Sequence, residues 1–125
     1  MTRFIVCKKC GNLAGVLNDA GVPMICCGEE MHELVPNTFD ASHDKHLPVV
    51  QVNGSTVTAT VGKDIHPMIE KHYITWVYLQ TEKGGQRRIL KPGEEPKAVF
   101  ELAEGDKPVA VYEFCNLHGL WKTEL

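Results

Sequence analysis

No stretch of this chain comes near the ~20 consecutive apolar residues that a membrane-spanning helix needs. The N-terminus, Met1-Thr2-Arg3-Phe4-Ile5-Val6-Cys7, has neither the long apolar core nor the small-residue cleavage site of a secretory signal. A cytoplasmic protein with no membrane partner is therefore expected. A basic stripe is missing too: 13 Lys and Arg against 16 Asp and Glu leave a formal net charge of −3, which gives nucleic acid or an anionic surface no handle. There are no internal repeats, no low-complexity tracts and no segment that keeps a helical period over three turns. Cysteine is sparse and odd in number, at five. A disulfide framework would leave one thiol over, and in a reducing compartment a C-x-x-C pair is more often a metal ligand than a disulfide.

What is present is a set of metal-binding side chains. At 125 residues the chain can hold one modest domain plus a module too small to fold on hydrophobic burial alone. Residues 1–36 read as that module: a strand from Arg3 to Val6, the Cys7-Lys8-Lys9-Cys10 knuckle, an apolar stretch from Leu13 to Leu17, a turn at Asn18-Asp19-Ala20-Gly21, and the adjacent pair Cys26-Cys27. Glycine follows both Cys10 and Cys27, where the backbone must turn tightly toward sulfur. Residues 37–125 form the second part, with 37–45 as linker and active-site loop.

From His46 onward the pattern is β throughout. Strands are expected near 47–52, 55–61, 72–80, 86–90, 97–103, 109–115 and 119–123, with turns at Asn53-Gly54, Lys83-Gly84-Gly85, Lys91-Pro92-Gly93 and Gly105-Asp106. Seven short strands at this spacing favour an antiparallel sandwich of immunoglobulin-like type over a barrel. The run Tyr73 to Leu79 is apolar on both faces and is expected to be central, with Trp76 and Tyr78 in the core.

Two donor sets follow. Cys7, Cys10, Cys26 and Cys27 offer a tetrahedral all-sulfur shell that suits zinc or iron alike on ligand softness. Adjacent cysteines pinch one angle of that shell, and a second redox-type site lies in the same chain; both favour iron. His46, His66, His72, Cys115 and His118 each stand at an expected element end, beside a proline or a turn, where ligands from different strands can converge. Five such donors leave one position of an octahedron open, as a redox enzyme requires. A blue-copper site is the second metal reading, but no methionine follows Cys115 and four histidines exceed what copper uses. His32 and His43 lack such placement and are expected at the surface, His43 near enough to His46 to support it.

Cys7-x-x-Cys10 with Cys26-Cys27, Lys45-His46-x-Pro48, His66-Pro67-Met68-x-x-Lys71-His72-Tyr73-Ile74 and Cys115-Asn116-x-His118-Gly119-x-Trp121 closely resemble desulfoferrodoxin, the two-iron class of superoxide reductase. The resemblance runs over nearly the whole chain. It implies a mainly β protein with a desulforedoxin-like, metal-stapled N-terminal module and an immunoglobulin-like antiparallel β-sandwich. It implies two iron ions per chain, one Fe(Cys)4 and one Fe(His)4(Cys) with Cys115 axial. It further implies reduction of superoxide to hydrogen peroxide, electrons from rubredoxin or a similar small carrier, a homodimer, and Lys45 and Asp44 as catalytic residues. Asp44 is a departure: the family usually has a glutamate there, able to reach the sixth position of ferric iron, and aspartate brings the same charge on a shorter arm. The competing reading from another class is a non-catalytic electron-transfer protein with two metal centres.

Overall fold

A computed structural model describes residues 2–125. The chain forms two compact units, one ending at Val35 and the other starting at Pro36. The first contains β1 (Phe4–Val6), β2 (Leu13–Gly15), β3 (Ile25–Cys26), β4 (Glu29–Glu30) and β5 (His32–Glu33). β1 is flanked by β2 and β5 in an antiparallel sheet, while β3 and β4 pair as a separate hairpin. The last three strands, two residues each, are too short to leave an alternating signature in the sequence. Cys27 (φ 52) and Gly28 (φ 75) are the two residues between β3 and β4, the paired positive φ values of a type I′ turn. Only Phe4, Ile5 and Cys7 are buried among this unit's described apolar residues.

The second unit begins with residues that the sequence suggested as a linker, yet Asn37 is tied to the sheet. Its side-chain amide donates to the Lys122 carbonyl (3.0 Å) and accepts from the Lys122 amide (2.8 Å). An asparagine side chain has the donor and acceptor of a peptide, so it continues the ladder at the sheet edge. A single helical turn follows, α1 (His43–His46), and then β6 (Pro48–Asn53), β7 (Thr56–Val61), β8 (Ile74–Thr81), β9 (Gly84–Ile89), β10 (Lys97–Glu101), β11 (Pro108–Cys115) and β12 (Gly119–Glu124). The strand order is β10-β7-β6 in one sheet and β12-β11-β8-β9 in the other, all antiparallel.

Alternation along the strands makes the core. β7 buries Val57, Ala59 and Val61, β10 buries Ala98 and Phe100, and these meet Ile74, Val77 and Leu79 of β8 with Val111 and Cys115 of β11. Two turns sit one residue away from expectation. Asn53 pairs with Thr56 and Thr81 with Gly84, so the loops are Gly54-Ser55 and Glu82-Lys83. β8 is central, as its composition suggested, but Trp76 and Tyr78 are not core residues. They lie half-buried on the opposite face, Trp76 stacked on Phe114 (5.8 Å, 9°) and Tyr78 edge-on to Tyr112 (6.2 Å). Strand period two forces this, because Val77 and Leu79 already occupy the inner face.

Candidate metal centres

In the first unit Cys7, Cys10, Cys26 and Cys27 bring their sulfurs within 4.8 Å of one another. The Cys7 thiol is held down at about 6, chiefly by the backbone amide of Cys10, and Cys27 is pushed up to about 12 by its neighbours Cys10 and Cys7. Four sulfurs this close do not all shed their protons unaided, so a cation is the natural partner of the set. The Cys10 and Cys26 sulfurs are 3.6 Å apart, close to the roughly 3.8 Å edge of a tetrahedron with ~2.3 Å metal–sulfur bonds.

In the second unit β11 ends at Cys115, the chain turns through Asn116 to His118, and β12 returns. This tight turn aims the amides of Leu117 and His118 at the Cys115 sulfur; burial pushes that thiol up, and these two hydrogen bonds pull it down. Asn116 clamps the segment leading into β8: its side chain accepts from the Tyr73 amide (2.9 Å) and donates to the Lys71 carbonyl (3.0 Å). The residue between those two is His72. His46 comes from α1 and His66 from the loop after β7, where Pro67 follows it.

These four rings form a closed square. Successive centroids are 4.8 Å (His46 to His66), 4.6 Å (His66 to His72), 4.9 Å (His72 to His118) and 4.8 Å (His118 to His46), and the His46 to His72 diagonal is 6.4 Å. All five donor atoms, Cys115 sulfur included, lie within 4.8 Å of one another. Nδ1 of His46 meets the Ser42 carbonyl (2.7 Å) and Nδ1 of His66 the Pro67 carbonyl (2.7 Å). A carbonyl only accepts, so both Nδ1 atoms are protonated and both Nε2 atoms carry a lone pair, that of His46 lying 3.0 Å from Nδ1 of His118. Nε2 of His66 and of His72 is buried without a hydrogen-bond partner. Burial lowers His46, His66 and His72, His66 to about 4, which keeps these imidazoles neutral and able to ligate. Bare lone pairs converging on one point are what a metal ion satisfies. The two donor sets fit the two iron sites of desulfoferrodoxin.

Lys45 and Asp44 are exposed on α1 and stand outside the donor group. After burial and the other imidazoles, the Lys45 charge contributes to the lowering of His46 and His72. His32 and His43 are exposed, and His43 touches Trp121 edge-on (5.1 Å). Several supporting residues escaped sequence reasoning. Trp121 and Asn116 stand inside recognisable motifs but are not among the metal-ligating residues. Gly62 is the third: a Cβ there would come 2.3 Å from the Asp64 carbonyl and 2.7 Å from that of Lys45, so its bare backbone lets β7 pass under α1. Its position directly after a β-branched strand was a turn signal, and nothing more. Glu113 is fully buried with neither carboxyl oxygen partnered, and burial pushes it well above the usual carboxylate range.

Residues 38–124 match the family model described as Desulfoferrodoxin. A desulfoferrodoxin of Syntrophotalea carbinolica is 42% identical over 118 residues, covering 94% of this chain and 92% of that protein. A superoxide reductase of Pyrococcus horikoshii is 34% identical over 103 residues, covering 69% of this chain and 90% of the other. Among solved structures, the superoxide reductase from Treponema pallidum superposes with a TM-score of 0.83 at 37% identity over 99% of each chain. With both donor sets assembled and relatives matching along nearly all of its length, the chain belongs to the desulfoferrodoxin family.

Proposed function

We propose that this protein is a superoxide reductase, catalysing O2•− + e− + 2H+ → H2O2 in its second unit. The observation that carries this reading is the closed square of imidazoles with a buried thiol within 4.8 Å of every donor. Iron held by His46, His66, His72, His118 and Cys115 would supply one-electron reduction at the coordination position these donors leave free.

The protein's own residues do the rest. The carbonyls of Ser42 and Pro67 fix the tautomers of His46 and His66, and Asn116 holds the His72 segment against the end of β11. The Leu117 and His118 amides moderate the electron donation of the Cys115 sulfur. Lys45 gives an anionic substrate a local positive target on a chain of net charge −3. Asp44 sits next to it on α1, outside the donor group; we assign it a role at the rim.

The Fe(Cys)4 site of Cys7, Cys10, Cys26 and Cys27 belongs to residues 1–36 as a separate stabilising and redox module. The electron comes from rubredoxin or a similar small carrier, and the protein works as a homodimer in the cytoplasm; the family resemblance supports these three statements, and the five unpaired cysteines suit a reducing compartment.

The test is pulse radiolysis or stopped flow of the reduced, iron-loaded protein with superoxide, following the visible spectrum and counting peroxide and oxygen. One peroxide per superoxide, without oxygen, is expected. Oxygen release would make the protein a dismutase, and no fast reaction would make it an electron carrier.

A further inference from the structure

The four-cysteine cluster is fastened by a residue that is not a ligand. Gly11 (φ +83) turns the chain after Cys10, which brings three polar groups of Asn12 onto three of the four cysteines. Its carbonyl accepts from the Cys7 amide at 2.8 Å. Its backbone N–H donates to the Cys10 sulfur at 3.4 Å. Its side-chain amide donates to the Cys26 sulfur at 3.6 Å. The first two contacts belong to the backbone and any residue but proline would keep them; the third belongs to the asparagine side chain.

An N–H dipole directed at a thiolate sulfur stabilises the more electron-rich state of the centre it ligates. With four thiolates, ferric iron leaves a net charge of −1 and ferrous iron −2, so a donor to sulfur favours the reduced form. We propose that Asn12 is a positioning residue that raises the reduction potential of the all-cysteine iron through its hydrogen bond to Cys26, and so sets how readily this centre accepts one electron from a small one-electron carrier. The step moves one electron from that carrier to the ferric centre, with no bond made or broken. The inference rests on the reading of the four-cysteine site as iron.

The test is a potentiometric titration of the full iron-loaded protein, following the thiolate-to-iron bands, for wild type, Asn12→Ala, Asn12→Gln and Asn12→Asp. Asn12→Ala is expected to disfavour reduction about tenfold, a fall of about 59 mV for a one-electron couple. The isosteric Asn12→Asp, which turns the donor into an anion, falls further, and Asn12→Gln recovers part of the loss. The potential of the His/Cys iron stays constant across the series. Equal potentials in wild type, Asn12→Ala and Asn12→Asp, with iron bands intact, would overturn the inference while leaving the iron reading in place. Should Asn12→Ala fail to bind iron, Asn12→Asp decides on the same criterion. A wild-type protein whose four-cysteine site shows no redox-active iron would overturn the reading and the inference together.

Discussion

Trp121 lies face to face on His46, ring centroids 4.8 Å apart at 21°, and its indole N–H reaches the carbonyl of His118 at 3.1 Å. One fully buried side chain therefore fixes two of the four imidazoles, one by stacking and one by anchoring its backbone. Trp121→Phe keeps a ring against His46 but loses the anchor. Outer partners of metal ligands are typically worth 10–100-fold in metal affinity, so iron at the His/Cys site is expected to bind at least ~10-fold more weakly. Competition with a chelator measures this. An unchanged affinity would mean that β11 and β12 hold His118 without help.

Gly62 carries a second prediction about the placement of α1, whose Lys45 carbonyl it meets. Alanine there faces two carbonyl oxygens at impossible distances and a φ of +88°. Overpacking and a left-handed alanine together should cost about 2–4 kcal/mol. The strain relaxes by lifting α1, so His46 leaves the square. Reduced iron content with an intact spectrum of the all-cysteine iron is the expected signature, and full occupancy would show that α1 yields without moving its histidine.

How far the sequence disclosed all this depends on the kind of feature. Strands 48–53, 56–61, 74–81, 97–101, 108–115 and 119–124 were visible because runs of branched and aromatic residues stand between turn-forming residues. Both donor sets were visible because Cys and His beside Pro, Gly and turns are chemically conspicuous. Trp76 and Tyr78 misled because aromatic content reports half-burial on either face of a strand. Asn37, Gly62, Asn116 and Trp121 act through a side-chain amide, an absent Cβ or a stacked ring presented to a partner far along the chain, and only the fold brings such pairs together.

Metal removal should separate the two units. The first buries just Phe4, Ile5 and Cys7 among its described apolar residues, and leaves Leu17, Val22, Met24 and Ile25 exposed. That core is too small to offset chain entropy without its metal. Chelation at neutral pH should collapse the amide resonances of residues 2–35 toward random-coil shifts. Those of the strands in 36–125 should stay dispersed, because the two-sheet core needs no ion. A dispersed apo spectrum for the first unit would contradict the staple role of the four-cysteine site.

Asp106 supplies the pH dependence. It is held below the usual carboxylate range first by a hydrogen bond from Thr81, then by the backbone amides of Lys107 (2.8 Å) and Lys83 (3.1 Å). A folded pKa below the unfolded one gives stability that is present above the unfolded value and lost as pH falls through the folded value. Asp106→Ala should therefore melt below wild type at pH 7, with the gap closing only below about pH 4, the ordinary aspartate value. Any acid release of metal is common to wild type and variant, because Asp106 stands outside both donor groups. A gap independent of pH down to 2.5 would assign the loss to packing alone.

Lys45 tests where substrate meets the protein. The chain's net charge is −3, so its overall field repels superoxide, and attraction must be local. Lys45 directly precedes the donor His46 on α1 and is exposed, and its charge contributes to the lowering of His46 and His72, so it is the local cation to test. Steering of this kind is worth about 10-fold or more in association rate and weakens with ionic strength. Lys45→Ile should slow the bimolecular reaction with superoxide about tenfold and flatten its salt dependence, while Lys45→Arg, which keeps the charge, preserves both. The iron spectrum should not change in either variant, since Lys45 supplies no donor. A rate that stays fast and salt-dependent in Lys45→Ile would move the steering charge to another residue.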